Sequence, residues 1–159
     1  MTPLALHLQP FYGYLELGLY DDANNELESL PDPLKNLPEV LLARLELLMM
    51  LKRWEDGAML GQSLCGLWPK QSDFWFRTAF CLHEMRRTEE ARQTLLNAPE
   101  PIQNIAVYSY NLACYESQLG DVRAAKKLLK ECFDKDASFK QLALDDPDLQ
   151  PVWDSIGNA

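Results

Sequence analysis

Few side chains in this sequence are of the types that carry out acid–base or metal chemistry. The chain has two histidines, His7 and His83, so a catalytic pair of histidines would require both to meet. His83, Glu84 and Glu46 could form a small metal site, but a polar trio that lines a surface is the favoured interpretation. Ser63 and Cys65 lie in a helical pattern and not on a strand–turn–helix elbow. The sequence therefore predicts a protein that is not an enzyme and needs no cofactor or metal.

The four cysteines have no spacing typical of a metal site. They occupy positions 65, 81, 114 and 132, with no CxxC pair and no neighbouring histidines. Free cysteine is among the residue types that are most often buried. We expect all four to be small apolar core residues in a reducing compartment.

The charge balance excludes some classes of partner. The formal net charge is −9, from 15 Lys and Arg against 24 Asp and Glu, which disfavours nucleic acid. No run of eighteen apolar residues occurs, and the first residues do not resemble a secretory signal. We expect a cytoplasmic protein that binds neither nucleic acid nor membranes.

The positions of small and bulky residues recur every thirty-four residues. Small residues recur at the place where two helices would cross, and bulky or β-branched residues recur three residues before them. The small residues are Ala23, Gly57, Ala91 and Ala125. The bulky or β-branched residues are Tyr20, Trp54, Thr88 and Val122. Four copies without insertion or deletion predict a repeat architecture.

Each copy is predicted to form two helices joined by a tight turn. Prolines fall where helices should end, and apolar residues return at steps of three and four, as in Leu41, Leu45 and Leu48. Asp121 and Thr88 are expected to be N-caps of second helices. Asp73 is expected near the start of the first helix of the third copy.

This pattern resembles the tetratricopeptide repeat, most closely in WFRTAFCLHEMRRTEEARQTLLNA and YNLACYESQLGDVRAAKKLLKECF. The resemblance implies an all-α, right-handed α-solenoid that forms a single domain over residues 1–159. The four repeats would span about 4–37, 38–71, 72–105 and 106–139. A C-terminal cap would span about 138–156, and its DDPDLQPVW segment resembles the tails of bacterial proteins of this class.

The two ends of the chain depart from the repeat. Because proline disrupts a helix interior, we expect the first helix to begin near Pro10, with residues 1–9 extended or loosely helical. At the other end we expect a short helix near 138–144, a turn at Asp146–Pro147 and a last helical turn. The residues expected to cover the open end are Phe139, Leu142 and Leu144, with Leu149, Val152 and Trp153 in the last turn.

The resemblance also implies a concave groove lined by the first helix of each repeat. Large apolar residues at groove positions favour a contact with another molecule. The predicted partner-binding residues are Tyr12, Leu42, Glu46, Met49, Phe76, Phe80, His83, Glu84 and Tyr110. We expect a non-catalytic scaffold or chaperone-like adaptor that holds an apolar, possibly basic, peptide or helix.

Three alternatives remain open from the sequence. A second copy of the chain could fill the groove, which would make the protein a structural self-association module, a homo-oligomer. One terminus of the same chain could fold over the apolar strip, or the register could be off by one residue.

The second helix of the fourth copy carries a run of basic residues. This run is either an anion-binding patch or, as is more usual, a solvated outer face. That run comprises Arg123, Lys126, Lys127 and Lys130.

Overall fold

The computed structural model describes residues 3–157, and every regular element within that range is helical. The predicted all-α class is therefore confirmed. No helix in this range is both long and apolar enough to cross a membrane. The elements are α1 (Pro3–Glu16), α2 (Tyr20–Ser29), α3 (Asp32–Lys35), α4 (Pro38–Met50), α5 (Trp54–Leu67), α6 (Ser72–Glu84), α7 (Thr88–Leu96), α8 (Glu100–Gln103), α9 (Ala106–Gln118), α10 (Val122–Lys135), α11 (Phe139–Asp145), a 3-10 helix (Pro147–Val152) and α12 (Trp153–Gly157).

Four helix pairs share one type of turn. The pairs are α1/α2, α4/α5, α6/α7 and α9/α10, and three residues separate the helices of each pair. The middle residue of every turn has a positive φ: 72° at Gly18, 55° at Lys52, 63° at Arg86 and 91° at Gly120. The next amide bonds back across the turn, as from Asp121 N to Glu116 O at 2.9 Å. This is the Schellman arrangement, which ends a helix and reverses the chain.

The small residues predicted at the helix crossings are buried. Ala23, Ala91 and Ala125 have no exposed surface, and Gly57 is buried. A Cβ on Gly57 would lie 2.8 Å from the Sγ of Cys81, so α5 and α6 approach closely. The predicted burial of these small residues is confirmed, but the closest approach at Gly57 is to α6 of the next pair and not to α4 of its own pair, where the nearest atom, Leu45 Cδ1, is 3.6 Å away.

The first helix begins earlier than the sequence predicted. α1 runs from Pro3, with Pro10 inside it, so the expectation of an extended segment over 1–9 is wrong. Pro10 and Leu6 are both exposed, so the carbonyl that loses its hydrogen bond lies on the solvent side. Leu8 and Phe11 are buried in a cluster with Leu27, and this burial outweighs the cost of the proline.

The predicted helix caps are confirmed in part. The Asp121 side chain accepts a hydrogen bond from the Ala124 amide at 2.9 Å and caps α10, as predicted. Thr88 is not the cap of α7, because that position is held by Arg87, whose side chain makes no capping bond. The Thr88 hydroxyl instead lies 2.9 Å from His83 Nδ1. α6 begins at Ser72, one residue before Asp73.

The C-terminal tail, residues 139–157, folds back onto α9 and α10. A short helix near the predicted 138–144 is confirmed, and Asp146 caps the following 3-10 helix through the Asp148 amide at 3.0 Å. Leu149 and Val152 are buried in the main core cluster, and Trp153 packs against it. This cluster also contains Leu82, Leu95, Leu112 and Leu129. Leu142 is 53% exposed and was wrongly predicted to cover the end of the stack.

All four cysteines are free thiols in the core, as predicted. Burial raises the pKa of Cys65, Cys81 and Cys132 to about 11, and the pKa of Cys114 is also well above its ordinary value. Since the thiolate is the reactive form, these thiols are inert in the folded protein.

We expect no cysteine of the native protein to react with Ellman's reagent at pH 8, and all four to react in guanidinium. Because the pKa of Cys65 is raised in the folded state, the contribution of this thiol to the free energy of unfolding is fully present below its unfolded pKa of 9.0. That contribution is lost as the pH rises through its folded pKa of about 11. Rapid labelling of any cysteine in the native protein would contradict this assignment.

Candidate partner-binding face

The predicted groove residues lie on α1, α4, α6 and α9, the first helices of the four pairs. We call the surface that these predicted groove residues mark on the four helices the first-helix face. One row across it shows how its exposure varies from helix to helix. Tyr12 on α1 is 37% exposed and Phe80 on α6 is 40% exposed, while Cys114 on α9 is only 4% exposed. The face is therefore open at α1 and α6 and covered at α9.

A chain of polar contacts joins three of these helices. The Glu46 carboxylate on α4 forms an ion pair with Arg77 on α6, which also contacts Asp73 at 3.2 Å. Burial and the adjacent Glu46 carboxylate raise the pKa of Tyr12, on α1, to about 12. Glu46 thus links α4 to α6 and α1. Its charge is compensated within the chain and does not stand free for a ligand.

An apolar cavity of about 470 Å³ opens between α1 and α4. Its walls come largely from leucine side chains and the ring of Tyr12, with Gln9 and the exposed Glu39 as polar groups at its edge. The lining residues are Leu4, Ala5, Leu8, Gln9, Tyr12, Glu39 and Leu42. Cavities of this size and character accept apolar ligand groups.

Tyr12 and Leu42, which were predicted to line the groove, line this cavity, whereas Leu4, Ala5, Gln9 and Glu39 were not predicted as site residues. The first three were missed because residues 1–9 were expected to lie outside the helix. The apolar spacing of Leu4, Leu8 and Phe11 was the signal that α1 starts early.

The two phenylalanines of α6 that were predicted to line the groove, Phe76 and Phe80, have different environments. Phe76 is half-buried against the main core cluster, as is Met49 of α4. Phe80 packs edge-on against Trp54, with ring centroids 5.9 Å apart, and keeps 40% of its surface exposed. Of these two rings Phe80 is therefore the one that a partner can reach, and Glu84 lies exposed one turn further along.

The tail covers the α9 end of the first-helix face. The Tyr110 hydroxyl donates to Asp146 Oδ2 at 2.7 Å, and its ring lies 5.2 Å from that of Phe139. His83 Nε2 lies 3.0 Å from Asp148 Oδ2. Tyr110 is only 6% exposed, so at this end the chain's own tail occupies the face, as one of the alternatives from the sequence anticipated.

The structure does not bring the possible metal ligands together. Both ring nitrogens of His83 are engaged, by Thr88 and Asp148, and Glu46 is paired with Arg77. Over residues 3–157 no group of three His, Cys, Asp or Glu side chains is placed to hold a metal ion.

Comparison with models of protein families finds none that matches this chain. Comparison with curated proteins also finds no match. The function must therefore be inferred from the first-helix face itself.

Asp146 joins the tail to the first-helix face, so Asp146→Ala should lower the free energy of unfolding by about 1–2 kcal/mol. The substitution removes the bond from Tyr110 and the cap of the 3-10 helix. Asp145→Ala is the matched control, because Asp145 is exposed and its hydrogen bond is a long one that it accepts from Gln141 at 3.3 Å within its own helix. Equal denaturation midpoints for the two variants would show that the tail contact contributes little.

Proposed function

We propose that the chain is a right-handed solenoid of four tetratricopeptide-like units, closed by its tail. The second helices support this, since they begin at Tyr20, Trp54, Thr88 and Val122, each thirty-four residues after the one before. The left-handed turn residues 18, 52, 86 and 120 have the same spacing. The first-helix face is the concave surface of the solenoid in this proposal.

We further propose that this surface binds a protein partner and that the protein is a non-catalytic scaffold or adaptor. The observation that carries the proposal is the open apolar cavity between α1 and α4, together with the exposed ring of Phe80 on α6. Exposed apolar surface of this kind on a folded domain favours a contact. The four free, buried cysteines suit a reducing compartment, which in this proposal is the cytoplasm.

The partner should present an apolar segment, as a peptide or a helix, with basic residues beside it. One large apolar side chain would enter the cavity beside Leu42 and another would contact Phe80. Each would contribute about 1.5–3 kcal/mol before the cost of ordering the complex. The exposed carboxylates of Glu39 and Glu84 would attract the basic flanks, with Glu46 excluded from this role by its pairing with Arg77.

The proposal is tested by capture from a lysate of the native cells with two matched variants. Phe80→Ser removes an exposed apolar residue of the first-helix face, and Met59→Ser removes one that is 61% exposed on α5. We expect the first variant to lose the captured protein and the second to retain it, with both still helical by circular dichroism. Identical captured proteins for the two variants would refute binding at this face.

A second copy of the chain is the competing occupant of the surface. Sedimentation velocity distinguishes the two cases, because a homo-oligomer that Phe80→Ser converts to a monomer would identify a copy as the partner.

A further inference from the structure

The cavity between α1 and α4 has a charged group at one edge. Leucine side chains and the Tyr12 ring form its walls, and the exposed side chains of Gln9 and Glu39 lie at its edge. Among the described residues that line it, none is basic. Its volume of about 470 Å³ exceeds that of any single side chain. An apolar side chain of a partner therefore leaves room for a second side chain beside it.

A smaller cavity, of about 50 Å³, lies between α4 and α6 and adjoins the first. Glu39 and Leu42 line both cavities, so these two residues stand between them. The smaller cavity is also lined by Gln71, which is exposed, and by Asp73, whose carboxylate contacts Arg77 at 3.2 Å. Here too the described lining residues include no lysine, arginine or histidine. Carboxylate and amide oxygens therefore lie on both sides of Glu39.

The Glu39 carboxylate is the charge at this edge that the chain leaves uncompensated. It is exposed and, within the part of the chain that the structure describes, it forms no ion pair. Glu46, further along α4, is instead paired with Arg77. A free carboxylate beside an apolar cavity is complementary to a ligand that combines an apolar group with a positive charge.

The spacing of Glu39 and Leu42 determines the spacing of the partner groups that meet them. The two residues are three positions apart on α4, so their side chains lie on one side of the helix, about 5–6 Å apart. Two side chains of a helical partner are this close when they are three or four residues apart. A separation of two residues places them on different sides of the partner helix.

We propose that this edge of the cavity selects a partner helix in which a lysine or arginine lies three or four residues from a large apolar residue. The inference rests on the proposed binding of a partner at the first-helix face. The apolar residue packs against the Tyr12 ring and Leu42. The cation pairs with Glu39 and bonds to the amide oxygen of Gln9 or Gln71. Glu39 is thus the residue that determines the specificity of the cavity.

Three fluorescein-labelled peptides of about eighteen residues, or five helical turns, test the proposal by fluorescence anisotropy. Each is rich in alanine and glutamine and has three leucines along one side, at steps of four and three residues. The one-turn peptide has a lysine four residues before the first leucine. The two-residue peptide has this lysine two residues before that leucine instead. The glutamate peptide has a glutamate in place of the lysine of the one-turn peptide.

We expect the unmodified protein to bind the one-turn peptide about three- to fivefold more tightly than the two-residue peptide. The glutamate peptide should bind about tenfold more weakly than the one-turn peptide, because its charge is repelled by Glu39. Glu39→Gln should bind the three peptides about equally. Glu39→Lys should bind the glutamate peptide best.

Asp22→Lys is the matched control for Glu39→Lys. Both residues are exposed acids in the first turn of a helix, Asp22 in α2 and Glu39 in α4. The two substitutions therefore change the net charge equally and place a cation equally unfavourably at a helix N-terminus. Because α2 is a second helix, we expect Asp22→Lys to keep the peptide preferences of the unmodified protein.

Some results would overturn the selection but leave the proposed function intact. One is equal binding of the three peptides to the unmodified protein, with binding lost in Tyr12→Ser, which removes a wall of the cavity that is 37% exposed. Another is an equal loss of the lysine preference in Glu39→Lys and Asp22→Lys, which would indicate long-range attraction alone.

Other results would contradict the proposed function as well. No saturable binding of any of the peptides up to about 1 mM would be evidence against a binding site in the cavity. A dimer, seen by sedimentation velocity, that Glu39→Lys dissociates would identify a second copy of the chain as the occupant.

Discussion

Gly61→Ala is expected to lower the free energy of unfolding by about 1–3 kcal/mol, although alanine is the better helix former. A Cβ at this position would lie 2.1 Å from the hydroxyl oxygen of Thr78 and 3.4 Å from its Cα. Thr78 cannot move aside readily, because it is fully buried and its hydroxyl donates to Phe74 O at 2.6 Å. The crossing of α5 and α6 must therefore open. Guanidinium denaturation measures the change.

Gly66→Ala is the control within the same helix and should have the opposite effect on the free energy of unfolding. Nothing lies within 4 Å of a Cβ at Gly66, so the substitution should raise stability by up to about 1 kcal/mol through helix propensity alone. Thr78→Ala in the Gly61→Ala background should recover part of the loss, because it removes the nearest obstructing atom. If Gly61→Ala and Gly66→Ala were equally stable, the close approach of α5 and α6 would be wrong.

Leu149→Ala is expected to cost about 2–5 kcal/mol, because it leaves a cavity in the main core cluster. Leu149 has no exposed surface and lies in the 3-10 helix that packs on α9. Leu142→Ala makes the same chemical change in α11, where the side chain is 53% exposed, and should cost less than about 0.5 kcal/mol. Thermal melting of the two variants gives the comparison.

The outcome of that comparison decides what the tail is. A large cost at Leu149 identifies the tail as part of the core, so the α9 end of the first-helix face is permanently covered. A small cost would contradict this and would make the tail a displaceable segment.

The helical pairs could be predicted from the sequence because their signals are local. The small residues 23, 57, 91 and 125 mark the crossings, and Asp121 marks a helix start through a bond to an amide three residues away. Pro10 misled the prediction because its local cost is outweighed by burial of Phe11 against residues of α2, which a local rule cannot detect.

The open part of the candidate site was less predictable than the helices. Tyr110 and Phe80 are both aromatic residues at groove positions, yet one is covered and the other is exposed. The difference arises from Asp146, which lies thirty-six residues beyond Tyr110 in the sequence. The Asp146 carboxylate accepts a hydrogen bond from the Tyr110 hydroxyl. The pairing of Glu46 with Arg77 also links separate helix pairs, and a periodic pattern does not specify which side chains meet.

Photo-crosslinking tests the central claim, that a partner binds the open part of the first-helix face, most directly. Benzoylphenylalanine would replace Tyr12, Phe80 or Met59 in separate variants, and the native cells would be irradiated. We predict that positions 12 and 80, which lie on α1 and α6, give adducts with the same protein and that position 59, exposed on α5, gives none. An adduct of equal yield from position 59, or no adduct from either position 12 or position 80, would contradict the claim.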